Sequence, residues 1–262
     1  MPIITLTTDF GTLDGYVGAM KGVILGMAPT AVVTDIAHDI PAQDVEAGAW
    51  CVGLCWAYFP VGTIHIAVVD PGVGTDRAGL LACVDGQYLI GPDNGVFTQP
   101  LSQAKTVEVR KLRDSIHRST VPSTTFHGRD IFAYAAGLLA AGEADWRALS
   151  EPVDAYTLLA QPGPAYDETE VRGRVLHVDR YGNLITNIVA DRLPPDAQWM
   201  VRVGGATVSA PDLSRTYGDV GEGSPVVLIG STGRVEIAVH AGSASRVFSV
   251  DRGAEIVMKK LV

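Results

Sequence analysis

Cysteine is scarce in this chain, with three among 262 residues. Cys51 and Cys55 stand one helical turn apart in an apolar stretch, and no further Cys or His completes a set with zinc-ligand spacing. An odd number of cysteines cannot all pair with one another, so a disulfide framework does not organise the fold. We therefore expect buried free thiols.

Basic residues are also few, at 20 against 29 acidic ones, which gives a formal net charge of −9. Binding to a nucleic acid requires a basic surface, so we expect no nucleic-acid partner. No apolar run reaches the roughly 18 residues of a membrane-spanning helix. The first residues lack the basic and apolar regions of a secretion signal. These absences predict a soluble, cytoplasmic protein without a membrane partner.

Several common signature motifs are missing as well. The chain has no phosphate-binding Walker loop, no G-x-G-x-x-G, no G-x-S-x-G and no H-E-x-x-H. It therefore gives no sign of a dinucleotide, a triphosphate, a serine nucleophile or a zinc site, and we expect no metal. The acidic balance remains compatible with a cationic small molecule as ligand.

The first part of the chain alternates between strand-like and helix-like segments, which predicts an α/β domain with a mostly parallel sheet. Strands are predicted at residues 2–8, 30–36 and 64–69, with a hairpin of 80–84 and 87–90 around Asp85-Gly86. Helices are predicted at residues 14–25 with Asp14 as N-cap, 44–59 ending at Pro60, and 131–141 with Gly142 as C-cap.

The composition changes near residues 158–168, where Pro162-Gly163-Pro164 is the clearest linker signal. Short strands with glycine-rich turns follow, at residues 170–179, 199–203, 225–229, 235–238 and 254–259. This pattern predicts a small β-sandwich or β-barrel. We expect a Rossmann-like α/β domain at residues 1–160, a linker at about 161–168, and a β-domain at 169–262.

Polar residues stand where predicted strands end, and ligands bind at the carboxyl ends of strands in open α/β sheets. Asp9 and Asp70 follow two of these strands, Asp93-Asn94 follows a third, and His127 precedes a helix. Arg77 is close enough in sequence to return its guanidinium to Asp70. Each residue also has a structural interpretation: Asp70 as a turn residue, Asp9 as a helix cap, and His127 as a core histidine.

A further polar cluster, Asp179 to Asn183, lies in the second domain, and its members could be ordinary turn residues. Taken with the earlier residues, it completes a series of motifs in a fixed order. They are T-T-D-F-G at 7–11, D-G-Y-V-G at 14–18, V-D-P-G-V-G at 69–74, G-P-D-N-G at 91–95, T-F-H-G-R-D at 125–130 and D-R-Y-G-N at 179–183.

In these motifs the chain resembles the S-adenosyl-L-methionine (SAM) hydrolases, or SAM hydroxide adenosyltransferases, over nearly its whole length. They are relatives of the fluorinating and chlorinating enzymes that cut the same molecule. The resemblance implies an N-terminal α/β domain and a C-terminal β-barrel. It also implies a homotrimer with active sites at the subunit interfaces, a small-molecule substrate and no cofactor, because SAM is itself the substrate.

The resemblance further implies roles for individual residues. Asp70, Arg77 and His127 match the hydrolase's catalytic set, whereas the halogenating relatives have tyrosine at the position of Asp70. Asp9 matches a ligand of the ribose hydroxyls. Asp179 and Asn183 match ligands of the methionine part, Ser231 a second contact to that part, and Tyr217 an aromatic residue packed on adenine. Structural interpretations of Ser231 and Tyr217 stay open, since their motifs are short.

These matches imply hydrolysis of SAM to adenosine and L-methionine by displacement at ribose C5′. Two alternatives remain. One is a SAM-dependent halogenase resembling the chlorinating enzymes. The other is a non-catalytic protein that binds an adenosyl ligand, for which the complete set of Asp70, Arg77 and His127 would be unnecessary.

Overall fold

The computed structural model describes residues 1–119, 122–195, 197–210 and 212–261, and the chain divides into two compact units, Met1–Ala160 and Gln161–Val262. The first unit contains a seven-stranded sheet. Its strands are β1 (Ile3–Thr8), β2 (Val32–Ala37), β3 (Ile64–Val68), β4 (Gly79–Val84), β5 (Gln87–Pro92), β6 (Val107–Leu112) and β7 (Ser150–Pro152).

The strand order is β2-β1-β3-β5-β4-β6-β7. The pairs β2–β1, β1–β3 and β3–β5 are parallel, whereas β5–β4, β4–β6 and β6–β7 are antiparallel. The predicted α/β class is confirmed, but the prediction of a mostly parallel sheet was wrong, because half of the sheet is antiparallel. The predicted hairpin begins this reversal: Asp85 and Gly86 both have positive φ, as a two-residue turn requires.

The helices that accompany this sheet are α1 (Tyr16–Met27), α2 (Val45–Cys55), α3 (Thr98–Gln103) and α4 (Tyr134–Ala141). Asp44 caps α2 through the backbone N–H of Ala47, and Gly142 ends α4 in the left-handed conformation, as predicted. Asp14 as N-cap was wrong, because α1 begins after Gly15 without a side-chain cap. Helix α2 ends earlier than Pro60, in a 3₁₀ turn at Trp56–Tyr58.

Apolar side chains of β1, β3, α1 and α4 form the main core of this unit, where Ile4, Leu6, Ile66 and Phe132 are fully buried. Cys51, Cys55 and Cys83 are free thiols, as predicted, but the predicted burial was wrong, because each is only half-buried. Burial raises the pKa of Cys51 to about 11. In the described part of the chain, no helix combines the length and apolarity needed to cross a membrane.

The second unit is built on an eight-stranded sheet with a short helix, α5 (Ala244–Phe248). Its strands are β8 (Ala165–Tyr166), β9 (Glu170–Val178), β10 (Leu184–Val189), β11 (Trp199–Val203), β12 (Ala206–Ala210), β13 (Pro225–Ile229), β14 (Arg234–Val239) and β15 (Glu255–Lys260). The order is β12-β11-β15-β9-β10-β14-β13, with β8 beside β9. The end strands β12 and β13 lie close together, so the sheet curls into a near-barrel around an apolar core.

Candidate active site

Asp9 and Asp70 lie at one edge of the first sheet because they follow neighbouring parallel strands. Strand β1 ends at Thr8, which pairs in register with Val68, the last residue of β3. Asp9 comes directly after Thr8, and Asp70 comes two residues after Val68. The sequence order therefore places both carboxylates at the carboxyl ends of the strands, as predicted.

Asp70 and Arg77 form a bidentate ion pair. Nε of Arg77 donates to both carboxylate oxygens of Asp70 at 3.0 Å, and Nη2 also donates to Oδ2. The two side chains are 4% and 12% exposed, so solvent screens the pair little. Arg77 also donates to the carbonyl of Ala78 and lies over the ring of Phe132. These contacts hold the guanidinium in one orientation.

His127 joins this pair through the same guanidinium. Nη2 of Arg77 lies 2.8 Å from Nδ1 of His127. An arginine nitrogen can only donate, so Nδ1 accepts, and the neutral imidazole carries its proton on Nε2. Burial and the nearby Arg77 charge lower the pKa of His127. In this arrangement His127 is a hydrogen-bond donor at Nε2, and it has no free ring nitrogen for accepting a proton.

The segment that carries His127 is fixed at both ends. Gly74 has φ of +80°, and a Cβ built there would lie 2.5 Å from the carbonyl oxygen of Thr124. The loop of Asp70 therefore touches the backbone of the segment that leads to His127. Beyond His127 the chain enters a π-helical turn, Gly128–Ala133, whose Asp130 accepts from Ser123 N at 2.9 Å and from Arg129. Such turns are frequent at functional sites.

A cleft of about 240 Å³ in the first unit brings Asp9, Asp70 and His127 together. Asp9 does not cap α1; its Oδ2 instead accepts from the backbone N–H of Gln43 at 2.7 Å. Gln43 has a left-handed φ of +65° and itself lines the cleft. Residue type gave no signal for this conformation.

The rings of Phe10 and Phe126 also line this cleft, and sequence reasoning did not select them as site residues. They meet edge to face with their centroids 5.9 Å apart, and Tyr16 completes the aromatic group. Their position directly beside Asp9 and His127 in the sequence was the available signal.

Asp93 and Asn94 serve the structure around the site. Asp93 accepts from the backbone of Thr157 at 2.7 Å, and Asn94 donates to the carbonyl of Val69 at 2.8 Å. Neither residue lines the cleft. Asn94 therefore braces the chain directly before Asp70.

The second unit has a cleft of about 850 Å³ that is lined by Asp179, Asn183 and Tyr217. Asp179 is also a turn residue: Oδ1 accepts from the backbone N–H groups of Tyr181 and Asn183, both at 2.9 Å. Gly182 between them has φ of +84° and packs on Ser243, which leaves no room for a Cβ. The turn and the cleft thus use the same residues.

Ser231 is placed apart from this group. It lies in the exposed turn between β13 and β14 and is not among the residues that line the cleft. Within the described residues, no group of three or more His, Cys, Asp or Glu side chains is arranged to hold a metal ion.

Two family models match this chain, one in each of the two units that carry these motifs. The model described as SAM hydroxide adenosyltransferase N-terminal domain matches residues 4–149, and the corresponding C-terminal domain model matches residues 173–257. The chain is 38% identical to a Thermus thermophilus protein named (R)-S-adenosyl-L-methionine hydrolase, over 95% of this chain and 96% of the relative.

A solved structure and a halogenating relative extend this similarity. The crystal structure of an uncharacterized conserved protein from Thermotoga maritima superposes on this chain with a TM-score of 0.90. The two sequences are 35% identical, and the superposition covers 98% of this chain and 99% of that one. A fluorinase from an Actinoplanes species is more distant, at 26% identity over 99% of this chain and 98% of its own. The chain belongs to the SAM hydroxide adenosyltransferase family.

Proposed function

We propose that this protein is an enzyme that hydrolyses SAM to adenosine and L-methionine. The observation that carries the proposal is the contact of Asp70, Arg77 and His127 beside a cleft that also contains Asp9. The relatives named as SAM hydrolases support it, and their name points to the (R) configuration at the sulfonium. The fluorinase has a lower sequence identity to this chain than the SAM hydrolase has, which favours water over a halide as nucleophile.

The chemistry requires little acid catalysis. Water attacks ribose C5′ from the side opposite the sulfonium, the new C–O bond forms, and the C–S bond breaks with its electron pair on sulfur. Methionine leaves as a neutral thioether, so the leaving group needs no proton. One proton from the attacking water must depart. No cofactor or metal enters this balance.

Asp70 is suited to accept that proton. A carboxylate is a weak base toward free water, but the attacking water becomes strongly acidic as its oxygen bonds to carbon. Arg77 keeps the carboxylate oriented, and Nε2–H of His127 can donate to the water oxygen. This division makes Asp70 the acceptor and His127 a positioning donor, rather than the proton acceptor its residue type suggests. Alignment of the water with the C–S bond is the main contribution of these residues to the rate.

The remaining candidate residues are proposed to bind the substrate. Asp9 would accept the ribose hydroxyls, since one carboxylate can take two vicinal donors. Asp179 and Asn183 would hold the amino-acid part, with Ser231 as a further contact. Tyr217 would pack on adenine, because its ring offers a flat stacking surface. All of these assignments follow the family motifs.

The larger organisation also stays a proposal. We infer a Rossmann-like domain at residues 1–160, a linker at about 161–168, and a closed β-barrel domain at 169–262. We further infer a cytoplasmic homotrimer in which each active site combines one subunit's first domain with a neighbour's second domain. Gel filtration with light scattering tests the trimer: a monomeric active enzyme would exclude shared sites.

A turnover assay tests the proposed reaction. Purified protein is incubated with (R)-SAM and the products are separated by liquid chromatography. We expect adenosine and methionine in equal amounts, and slower conversion of the (S) epimer. Parallel incubations with chloride or fluoride distinguish a halogenase, which would form the 5′-halo-5′-deoxyadenosine. Binding of SAM without any product would instead favour a non-catalytic protein.

A further inference from the structure

Glu236 is a buried carboxylate in the middle of β14. Its exposed fraction is 5%, and it pairs in register with Ile185 of β10 and Leu228 of β13. Its neighbours Val235 and Ile237 face the apolar core of the second unit. Glu236 therefore lies on the opposite face of the strand, which it shares with Ala238. A charged side chain at such a place is costly unless it is partnered.

The segment from Ser214 to Val220 lies along this face. Ser214 forms a parallel bridge with Leu228, and Val220 packs on the small apolar cluster that contains Leu228 and Ala238. Between them, a 3₁₀ turn begins at Tyr217 and is closed by reciprocal hydrogen bonds of Thr216 and Asp219. The segment is thus an ordered strap over β13 and β14.

Tyr217 connects this strap to Glu236. Its hydroxyl donates to Oε1 of Glu236 at 2.6 Å, the length of a charge-assisted hydrogen bond. This bond gives the buried carboxylate a side-chain partner. Burial, together with this bond, raises the pKa of the Tyr217 phenol, and burial raises the pKa of Glu236. Tyr217 itself is 41% exposed and lines the 850 Å³ cleft.

We propose that Glu236 is a positioning residue that holds the ring of Tyr217 in the wall of this cleft, where the ring meets the nucleobase of the ligand. The inference rests on the proposed function for the identity of that nucleobase, adenine. A tyrosine on a loop would otherwise sample several rotamers, and its immobilisation would reduce the free energy gained on binding. Glu236 reduces this ordering cost, because it fixes the ring through a contact within the protein itself.

Two substitutions remove the bond from opposite sides. Glu236→Leu removes the acceptor and replaces it with an apolar side chain of similar size, and Tyr217→Phe removes the donor but keeps the ring. We expect each to raise KM for SAM by about threefold to tenfold, with a much smaller change in kcat. The double variant should be no worse than the worse single variant, because both remove one interaction.

Glu236→Gln provides the rescue, because its amide oxygen still accepts from Tyr217 and KM should return close to the wild-type value. Glu222→Gln removes the same charge from an exposed position of the same unit and should leave KM unchanged. Thermal melting separates positioning from folding: Glu236→Leu should keep the wild-type Tm, because replacing a buried charge with an apolar group is often neutral or stabilising.

The inference is overturned if Glu236→Leu leaves KM unchanged, if kcat and Tm fall together without a change in KM, or if the two substitutions are additive. Calorimetric titration with adenosine repeats the comparison without turnover. If wild-type protein forms no adenosine from SAM yet adenosine binding weakens in Glu236→Leu, the proposed function fails and the positioning role stands. If wild-type protein turns over SAM and Glu236→Leu binds adenosine as tightly as wild type does, the positioning role fails and the proposed function stands.

Discussion

Nε of Arg77 lies 3.0 Å from both carboxylate oxygens of Asp70, and the same guanidinium contacts His127 through Nη2. One rigid, permanently charged group therefore sets the positions of an acid and an imidazole. The acid is seven residues away in sequence, and the imidazole is 50 residues away. The consequences of this arrangement can be measured separately for each partner.

Arg77→Lys should show that the planar fork, and not the charge alone, is required. A lysine ammonium is a point charge that cannot hold both Asp70 oxygens and Nδ1 of His127 in fixed directions. We expect kcat to fall by about 100-fold. Arg77→Met should in addition lower stability by about 3 kcal/mol, because it leaves a buried carboxylate unpaired. Adenosine formation and thermal melting measure the two effects, and full activity in Arg77→Lys would refute the orienting role.

Asp70→Ala should abolish adenosine formation while SAM affinity stays within about tenfold of wild type, because the interaction that it removes forms chiefly in the transition state. Single-turnover kinetics and calorimetric titration supply the two quantities. Asp93→Ala is the matched control, since Asp93 also follows a strand of this sheet but does not line the cleft. Equal losses of binding and rate in Asp70→Ala would contradict the assignment.

The lowered pKa of His127 predicts the pH profile. Its ordinary value is 6.5, and burial beside Arg77 keeps the imidazole neutral below that pH. Protonation would place an N–H of His127 against Nη2 of Arg77, so we expect kcat to stay level from pH 8 to 6.5 and to decline only at lower pH. An acid limb with its midpoint above 6.5 would contradict the lowered pKa of His127.

The same shift affects stability in a defined direction. Below pH 6.5 the unfolded chain binds a proton at His127 that the folded chain resists, so folding becomes less favourable as the pH falls through this window. His127→Asn should remove this part of the pH dependence of the unfolding free energy. Denaturant titrations of both proteins at pH 5.5 and 7.5 provide the comparison.

Gly74→Ala should impair turnover more than stability alone explains. The left-handed backbone costs an alanine about 1–2 kcal/mol, and the new Cβ would also displace the Thr124 carbonyl that packs on this glycine. Gly142 has a similar φ but open space around it, so Gly142→Ala should lower the stability of the protein and leave kcat unchanged. Equal kcat in the two variants would mean that the Gly74–Thr124 contact does not support His127.

Much of the first domain could be predicted from local pattern. Buried apolar runs identified β1 and β3, and Asp85-Gly86 identified the hairpin of β4 and β5, because these signals lie in adjacent residues. Strands β6 and β7 went unrecognised, since β7 has three residues and neither carries clear alternation. Their antiparallel pairing continues the reversal that the hairpin begins, so that half of the sheet is antiparallel. Pairing between strands distant in sequence has no local signature.

The candidate site could likewise be predicted only where the signal lies in adjacent residues. Sequence order predicted that Asp9 and Asp70 share one edge of the sheet, because both follow neighbouring parallel strands, and the structure brings Arg77 into contact with Asp70. The role of Ser231 rests on a short motif and stays a proposal; the structure places this residue in an exposed turn that does not line the cleft. Glu236 was overlooked, since one acid in an apolar strand is most simply a solvent-facing residue. Its burial depends on a strap whose sequence gives no sign of where it packs.

The amino-acid sequence by itself determined the two-part composition, the acids at strand ends, and the glycines that permit left-handed turns. These properties follow from backbone sterics and from the period of apolar residues along the chain. Only the tertiary structure decided the strand order, the proton position on His127 and the burial of Glu236 under Tyr217. Each of these depends on groups distant in sequence, and their contacts arise from the packing of the whole domain.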